Sequence, residues 1–479
     1  MADETEELVV VNGIDGETGQ YLVAPMTVQE AASAASQEQD LHRVDELRAA
    51  TKRLTQPELG LPWDINPEVI SQAGWGIVFH KDENPNVRSA LKGLIGHRRK
   101  QIGNDGIVHE LDYKNNETVA GWLARHKVSA GTVDPEKVPF YLLLIGSPEQ
   151  IPFEFGHLLD VEYAIGRLHF KTGEEYAQYA SSVIEHETGK APKRSGDVAF
   201  FGPRHIGDAA TKLSSQFLIQ ALSENSNMFQ RLQNRAPYKP LYFEPRQSTK
   251  QNLASLFQAK TEAKPSLLFT ASHGLGWKMT DVRQATDQGA LLCGDFAGPG
   301  LVPMSRDHYF AAVDLPGDAN LHGLVCFHFA CFGGGTPSHD RFLHKTGKVP
   351  TQIARESFFS PLPQKLLSHR NGGALGVLAH VERAWQTSIV STGAGVQLQP
   401  FQNAIGRILS GVPLGYALKD FNERFAMLST SLAALLQQKG FGIDVSDAEL
   451  SSQWTARNDA EAYILLGDPG AQLRTDRVI

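Results

Sequence analysis

The chain reads as an α/β protein built on a doubly wound, mostly parallel sheet flanked by helices, and three observations predict it. The apolar runs YLLLI at 141–145, LLFTA at 267–271 and LVCFHF at 324–329 are of strand length and continuous rather than alternating, as expected of strands covered on both faces. Helical stretches separate such runs, and β-α-β alternation means parallel pairing with helical crossovers. Two of the runs stop at a reactive side chain followed by glycine: His273 before Gly274, and Cys331 shortly before Gly333, Gly334 and Gly335. Ligands of parallel sheets bind at the carboxyl ends of the strands, where both side chains belong.

Taken in order, residues 1–60 form an extension, with a small hairpin around 11–23 and a helical stretch from Thr27 to about Leu54, which reads as packing against the body or as a regulatory segment. Residues 61–195 form a first α/β unit. It holds a strand at Trp75 to Phe79, a basic helix from Arg88 to Lys100 and a strand at Phe140 to Ile145, and it ends in the linker GKAPKRSG. The cluster His97 to Lys100 is expected on a solvated helix face. Residues 196–479 form the second unit, opening with the strand of DVAFFGPRH (197–205) and a helix from Ala209 to Glu224. A strand at Pro240 to Phe243, a helix at Thr249 to Gln258 and the His273 strand follow. Right-handed crossovers then set the His273 and Cys331 strands side by side. The polar connection from Gly274 to about Leu321 is too long for a simple turn, and such loops tend to be functional.

Composition fits an enzyme-sized globular chain. Its 479 residues carry 45 Lys plus Arg against 53 Asp plus Glu, a net charge of -8, so a nucleic acid is not the expected partner. Three cysteines make no disulfide framework for a chain this large, which agrees with a reducing cytoplasm. Cys326 sits inside an apolar run and reads as core; the role of Cys293 is open. The acidic start MADETEELVVVNG lacks the basic segment and apolar core of a secretory signal, and no stretch approaches the roughly 20 apolar residues that span a bilayer. A phosphate loop, a His-Glu-x-x-His helix, Cys-x-x-Cys pairs and a Gly-x-Ser-x-Gly elbow are all missing, so no resident metal or cofactor is expected.

The remaining chemistry is that of a thiol beside an imidazole. An unperturbed thiol is mostly protonated at neutral pH, and a neighbouring imidazole can take its proton or hold the thiolate as an ion pair. Glycine lets backbone N–H groups approach a substrate carbonyl, so Gly274 and Cys331 are the expected oxyanion donors.

Strand-His-Gly followed by strand-Ala-Cys resembles the caspase-like cysteine peptidases of clan CD, particularly the gingipain and CHAT branches. VPFYLLLIGSPEQIP (138–152) with DVEYAIGRL (160–168) is similar to the gingipain pattern of a buried strand, an Ile-Pro, an acidic-x-x-Tyr and a closing Gly-Arg. GGALGVLAHVERAW (372–385) resembles the strand after the catalytic cysteine, and YILLGDPGAQLR (463–474) the Leu-x-Gly-Asp-Pro closing signature. The resemblance spans about residues 70 to 475. It implies that residues 61–195 are a non-catalytic caspase-like subdomain and 196–479 the catalytic domain.

The resemblance further implies a cysteine endopeptidase with Cys331 as nucleophile and His273 as general base and acid. Basic specificity is expected from gingipains, which place an acidic residue where Asp208 falls. The same Asp208 also reads as an ordinary helix N-cap. Phe329, two residues before Cys331, departs from metacaspases that carry Asp there. Trp385 reads as a pocket wall by resemblance or as a core tryptophan by its chemistry. Relatives imply a protein substrate, a zymogen released by a defence-system partner or an activating protease, cuts in the loops bearing Arg283, Arg306, Arg341, Lys345, Lys348 and Arg355, and in some cases calcium activation. The alternatives are a silent caspase-fold scaffold and an acyltransferase using the same dyad.

Overall fold

The computed structural model describes residues 8–36, 60–258, 264–340, 350–391 and 394–479. Ten strands form one central sheet: β1 (Trp75–His80), β2 (Val108–Tyr113), β3 (Tyr141–Ile145), β4 (Ala164–Leu168) and β5 (Ser195–Phe201). The others are β6 (Lys239–Phe243), β7 (Pro265–Ala271), β8 (Val325–Phe329), β9 (Gly376–His380) and β10 (Tyr463–Gly467). Their order across the sheet is β2-β1-β3-β4-β10-β9-β8-β7-β5-β6. The central strands are buried along their whole length, which is why their sequences are continuous apolar runs. β2 reads VHELDY and mixes buried with partly exposed residues; lying at the sheet edge, it shows no continuous apolar run and escapes that criterion.

Pairing is parallel throughout except between β9 and β10, which run antiparallel from Gly376↔Gly467 to His380↔Tyr463. β10 is parallel to β4, so the sheet consists of two parallel halves of opposite direction meeting at that pair. Both halves repeat one topology: β2-β1-β3-β4 on one side matches β6-β5-β7-β8 on the other. The segments 61–195 and 196–479 thus supply the two halves of one continuous sheet, with β10 crossing back to the first half.

In the second half the chain goes from β5 outward to β6 and returns to place β7 on the other side of β5. Strand order reverses at β5/β7, and the crevice beyond the carboxyl ends of those strands is where ligands of open α/β sheets bind. β7 and β8 pair in parallel from Leu267↔Val325 to Ala271↔Phe329. The expected adjacency of the His273 and Cys331 strands is therefore present.

Beside the sheet, α1 (Val28–Ser36) follows the N-terminal segment, and the remainder of the helix expected to Leu54 lies outside the described residues. α2 (Lys92–Ile102) corrects one expectation: Arg98 in its basic cluster is fully buried. Its guanidinium donates to Asp468 through Nε at 2.9 Å and Nη2 at 2.7 Å, and to Glu187 at the end of α3 (Gly173–Glu187) through Nη1 at 2.6 Å. Asp468, directly after β10, also accepts from the Trp75 indole at 2.8 Å. A charge this deep is tolerated only because it is paired and hydrogen-bonded.

The helix that follows β5 starts as α4 (Ala209–Leu213) and widens into π-helical turns over Ser214–Gln220. Near the C-terminus, α5 (Lys419–Gly440) and α6 (Asp447–Glu461) pack together and against α1. The connection after Gly274 is folded rather than loose. Leu291–Leu292 pairs antiparallel with Tyr309–Phe310, Arg283 is held by Asp281 at 2.6 Å, and Arg306 lies 4.5 Å over the Tyr309 ring. Arg341, Lys345 and Lys348 lie outside the described residues, while Arg355 is exposed. No helix among the described residues is long and apolar enough to cross a membrane.

Candidate active site

Residues 8–27 form a strap across the carboxyl ends of β7 and β8. Upstream, Val11 pairs antiparallel with Trp385, and the Asn12 amide donates to the Ala384 carbonyl at 3.1 Å. Downstream, Ile14–Asp15 pairs in parallel with Leu275–Gly276, and the Gly16 amide donates to the Gly276 carbonyl at 2.8 Å. The hairpin expected at 11–23 closes through an Ile14↔Tyr21 bridge. Apolar contacts fix both ends. Val9, Val11 and Met26 join Trp385, Leu432 and Trp454 in one cluster, and Ile14 joins Leu275, Trp277, Leu292 and Tyr309 in another.

The strap brings one peptide bond onto both reactive side chains. The Gly13 amide donates to His273 Nδ1 at 2.9 Å, and the Cys331 thiol donates to the Asn12 carbonyl oxygen. The Ala384 amide in turn donates to Cys331 Sγ at 3.2 Å. Cys331 and His273 are both wholly buried under the strap. Burial pushes the thiol up to about 12, against the lowering effect of the Ala384 amide, so with the strap seated Cys331 is a neutral thiol rather than an ion-paired thiolate.

Because Nδ1 of His273 accepts from Gly13, its proton resides on Nε2, which donates to Asp208 Oδ2 at 2.7 Å. Asp208 is buried, which alone would raise its pKa. His273, His205 and Thr211 outweigh that effect and hold the carboxyl well below the usual carboxylate range. Its other oxygen, Oδ1, accepts from the Tyr21 hydroxyl at 2.8 Å and the Ala210 amide at 3.1 Å. The pocket role expected of Asp208 is not visible with the strap seated: its two oxygens accept from His273, Tyr21, Thr211 and the Ala210 amide, so the carboxylate lies on the imidazole and caps α4. The N-cap alternative is present in the geometry, as an addition to the histidine contact.

Trp385 is wholly buried, with its ring 5.8 Å from that of Trp454 and its backbone bridged to Val11. It belongs to the apolar floor covered by the upstream strap. The proposed oxyanion donors lie against one another. A Cβ placed on Gly274 would come within 1.7 Å of the Cys331 carbonyl oxygen and 2.9 Å of its nitrogen, so only glycine permits this approach. Two non-glycine residues with left-handed backbone flank the site, Phe332 at φ 56° and Glu382 at φ 65°, and they are tied together by a hydrogen bond from the Phe332 amide to the Glu382 carbonyl at 2.5 Å. Such backbone strain gathers where a structure fixes a functional side chain.

Sequence reasoning missed the roles of His205, Tyr21 and the Asn12–Gly13 bond. His205 stacks 6.2 Å from His273, with its Nδ1 3.6 Å from Asp208 Oδ2. The signal available was strand order: Asp208 and His205 follow β5, and only the β5/β7 reversal brings them to His273. Among the described residues, His205, Asp208 and His273 are also a group able to hold a metal, with ligand atoms within 4.8 Å of one another. Two imidazoles and one carboxylate suit zinc-like ions and not calcium, which takes six to eight oxygens. Cys326 and Cys293 are buried and their thiols raised by that burial, as core residues would be.

No family model matches the chain, and no curated protein matches it in sequence. Among solved structures, one titled "Structure of Protease" is similar at a TM-score of 0.49 and 12% identity, over 84% of this chain and 79% of that one. A complex of the Porphyromonas gingivalis RgpB pro- and mature domains is similar at a TM-score of 0.41 and 12% identity, over 84% and 80%. Likeness at that level decides nothing about activity, and the functional conclusion rests on the chain's own geometry.

Proposed function

We propose that the chain is a cysteine endopeptidase in which Cys331, His273 and Asp208 act as nucleophile, base and orienting carboxylate. The observation that carries this is the convergence of Cys331 Sγ and His273 Nδ1 on a single peptide bond of an extended strand. His273 takes the thiol proton on Nδ1, Cys331 Sγ attacks the carbonyl carbon, and the Gly274 and Cys331 amides are the groups assigned to stabilise the developing oxyanion. The resulting imidazolium, stabilised by Asp208, returns the proton to the leaving amine, and water then hydrolyses the thioester. A cleft that pairs main chain on both walls suits an extended protein segment as substrate. Its reactive groups become accessible when the strap is displaced, by a partner or by cleavage.

Turnover of a fluorogenic peptide library, before and after limited proteolysis, tests this. Cys331→Ala and His273→Ala should abolish hydrolysis, and Asp208→Asn should lower kcat by about 10³- to 10⁴-fold, because it forfeits the correct imidazole tautomer. Hydrolysis that survives Cys331→Ala would sink the mechanism, and silence of the wild type under every condition would favour the scaffold alternative.

A further inference from the structure

We propose that the Asn12–Gly13 peptide bond is a self-cleavage site, cut in cis by Cys331, and that the enzyme accepts a small uncharged carboxamide residue before the scissile bond and glycine after it. The inference rests on the peptidase reading above and adds its first substrate.

Register is the main argument. The strap is held on both sides of the reactive pair, upstream by Val11 and Asn12 on Ala384–Trp385 and downstream by Ile14 and Gly16 on Gly274–Gly276. Main-chain pairing on both sides leaves a single bond opposite the thiol and imidazole. That bond has its carbonyl on Cys331 Sγ and its nitrogen 2.9 Å from His273 Nδ1. The thiol thus lies on the carbonyl group it would attack, and the imidazole on the nitrogen to which it would return the proton.

Gly13 supplies a second, independent constraint. Its φ is 139°, and a Cβ there would lie 3.1 Å from Leu22 Cδ1 and 3.3 Å from Cys331 Sγ. Glycine is therefore the residue this position accepts after the bond. Before it, the Asn12 side chain is enclosed, with the residue 5% exposed. The Asp208 carboxylate that would favour a lysine or arginine there is engaged by His273 and Tyr21.

In the balanced step, the Cys331 thiol proton passes to His273 Nδ1 as Sγ bonds to the Asn12 carbonyl carbon. The carbon–nitrogen bond to Gly13 then breaks as His273 hands the proton to that nitrogen. Water, giving its proton to His273, opens the thioester, so residues up to Asn12 leave with a new carboxylate and the remaining chain begins at Gly13. Loss of the upstream strand opens the Ala384–Trp385 wall to a substrate in trans.

Intact mass and N-terminal sequencing of the full-length protein, incubated at neutral pH, test the inference beside the peptide LVVVNGIDGETGQ supplied in trans. The wild type should yield a chain beginning at Gly13 and should cut the peptide between Asn and Gly. Cys331→Ala and Cys331→Ser should stay intact, with folding checked by circular dichroism. Asn12→Lys and Asn12→Ala should slow the cut by at least about ten-fold, because an enclosed site punishes a mismatched polar group. Faster cutting of Asn12→Lys would overturn the proposed selectivity. A cut that persists in both Cys331 variants would assign it to spontaneous Asn-Gly chemistry and overturn the proposal. A wild type that hydrolyses library peptides through Cys331 yet keeps its first twelve residues would overturn self-cleavage alone. One that does neither would remove the peptidase reading as well.

Discussion

With the strap seated, Cys331 keeps its proton far above neutrality, since burial raises the thiol to about 12. The direction fixes an expected pH profile. Only the thiolate reacts with an alkylating agent, and a raised pKa means that its fraction grows about ten-fold per pH unit throughout the range below 12. Iodoacetamide labelling of Cys331 in the uncut full-length chain should therefore climb from pH 7 to 10 without levelling. In a chain lacking residues 1–12 the burial is lifted, and the profile should level at lower pH. A plateau near pH 8 in the intact chain, read by peptide mass spectrometry, would contradict the burial argument. At this scale the sequence revealed Cys331 and His273, each announced by an apolar run and a glycine. It hid Arg98, because a run of His, Arg, Arg and Lys looks solvated until Glu187 and Asp468 arrive from 89 and 370 residues away.

Secondary-structure elements place those side chains through their ends. β7 stops at Ala271 and β8 at Phe329, in register, so the residues that follow them meet above the sheet. The meeting is tight enough for the Gly274 backbone to rest on the Cys331 carbonyl, where an added Cβ would sit at 1.7 Å. Backbone cannot yield as a flexible side chain can, so Gly274→Ala must push the β7 end away from the β8 end. We expect a stability loss of about 1–3 kcal/mol in urea unfolding together with at least a hundred-fold lower kcat, since displacing reacting groups by about 1 Å costs that much. Unchanged turnover would show that the approach is not needed for catalysis. The continuous apolar elements were legible in sequence because burial on both faces removes polar residues. The edge strand β2, whose VHELDY mixes polar and apolar residues, and the strap were not, because the pairing partners of the strap lie 261 to 374 positions away in the chain.

The whole molecule repeats a four-strand order twice, yet the repeats do not stand as separate bodies. The last strand, β10, inserts between β4 and β9, and the turn after it delivers Asp468 to Arg98 and Trp75 of the first half. Sequence order alone suggests a first unit ending near residue 195, because neither the local linker composition nor the apolar runs record that the C-terminus returns. The geometry makes a distinct prediction. Asp468→Ala strands the buried Arg98 guanidinium with only Glu187 as its anionic partner, and breaking such a buried pair costs about 3–5 kcal/mol. If one sheet couples the halves, the loss appears as a shift of a single cooperative transition, monitored together by tryptophan fluorescence and by the release of second-half peptides to hydrogen exchange. If the halves were independent, only the amides of residues 61–195 would lose protection and the fluorescence transition would split in two.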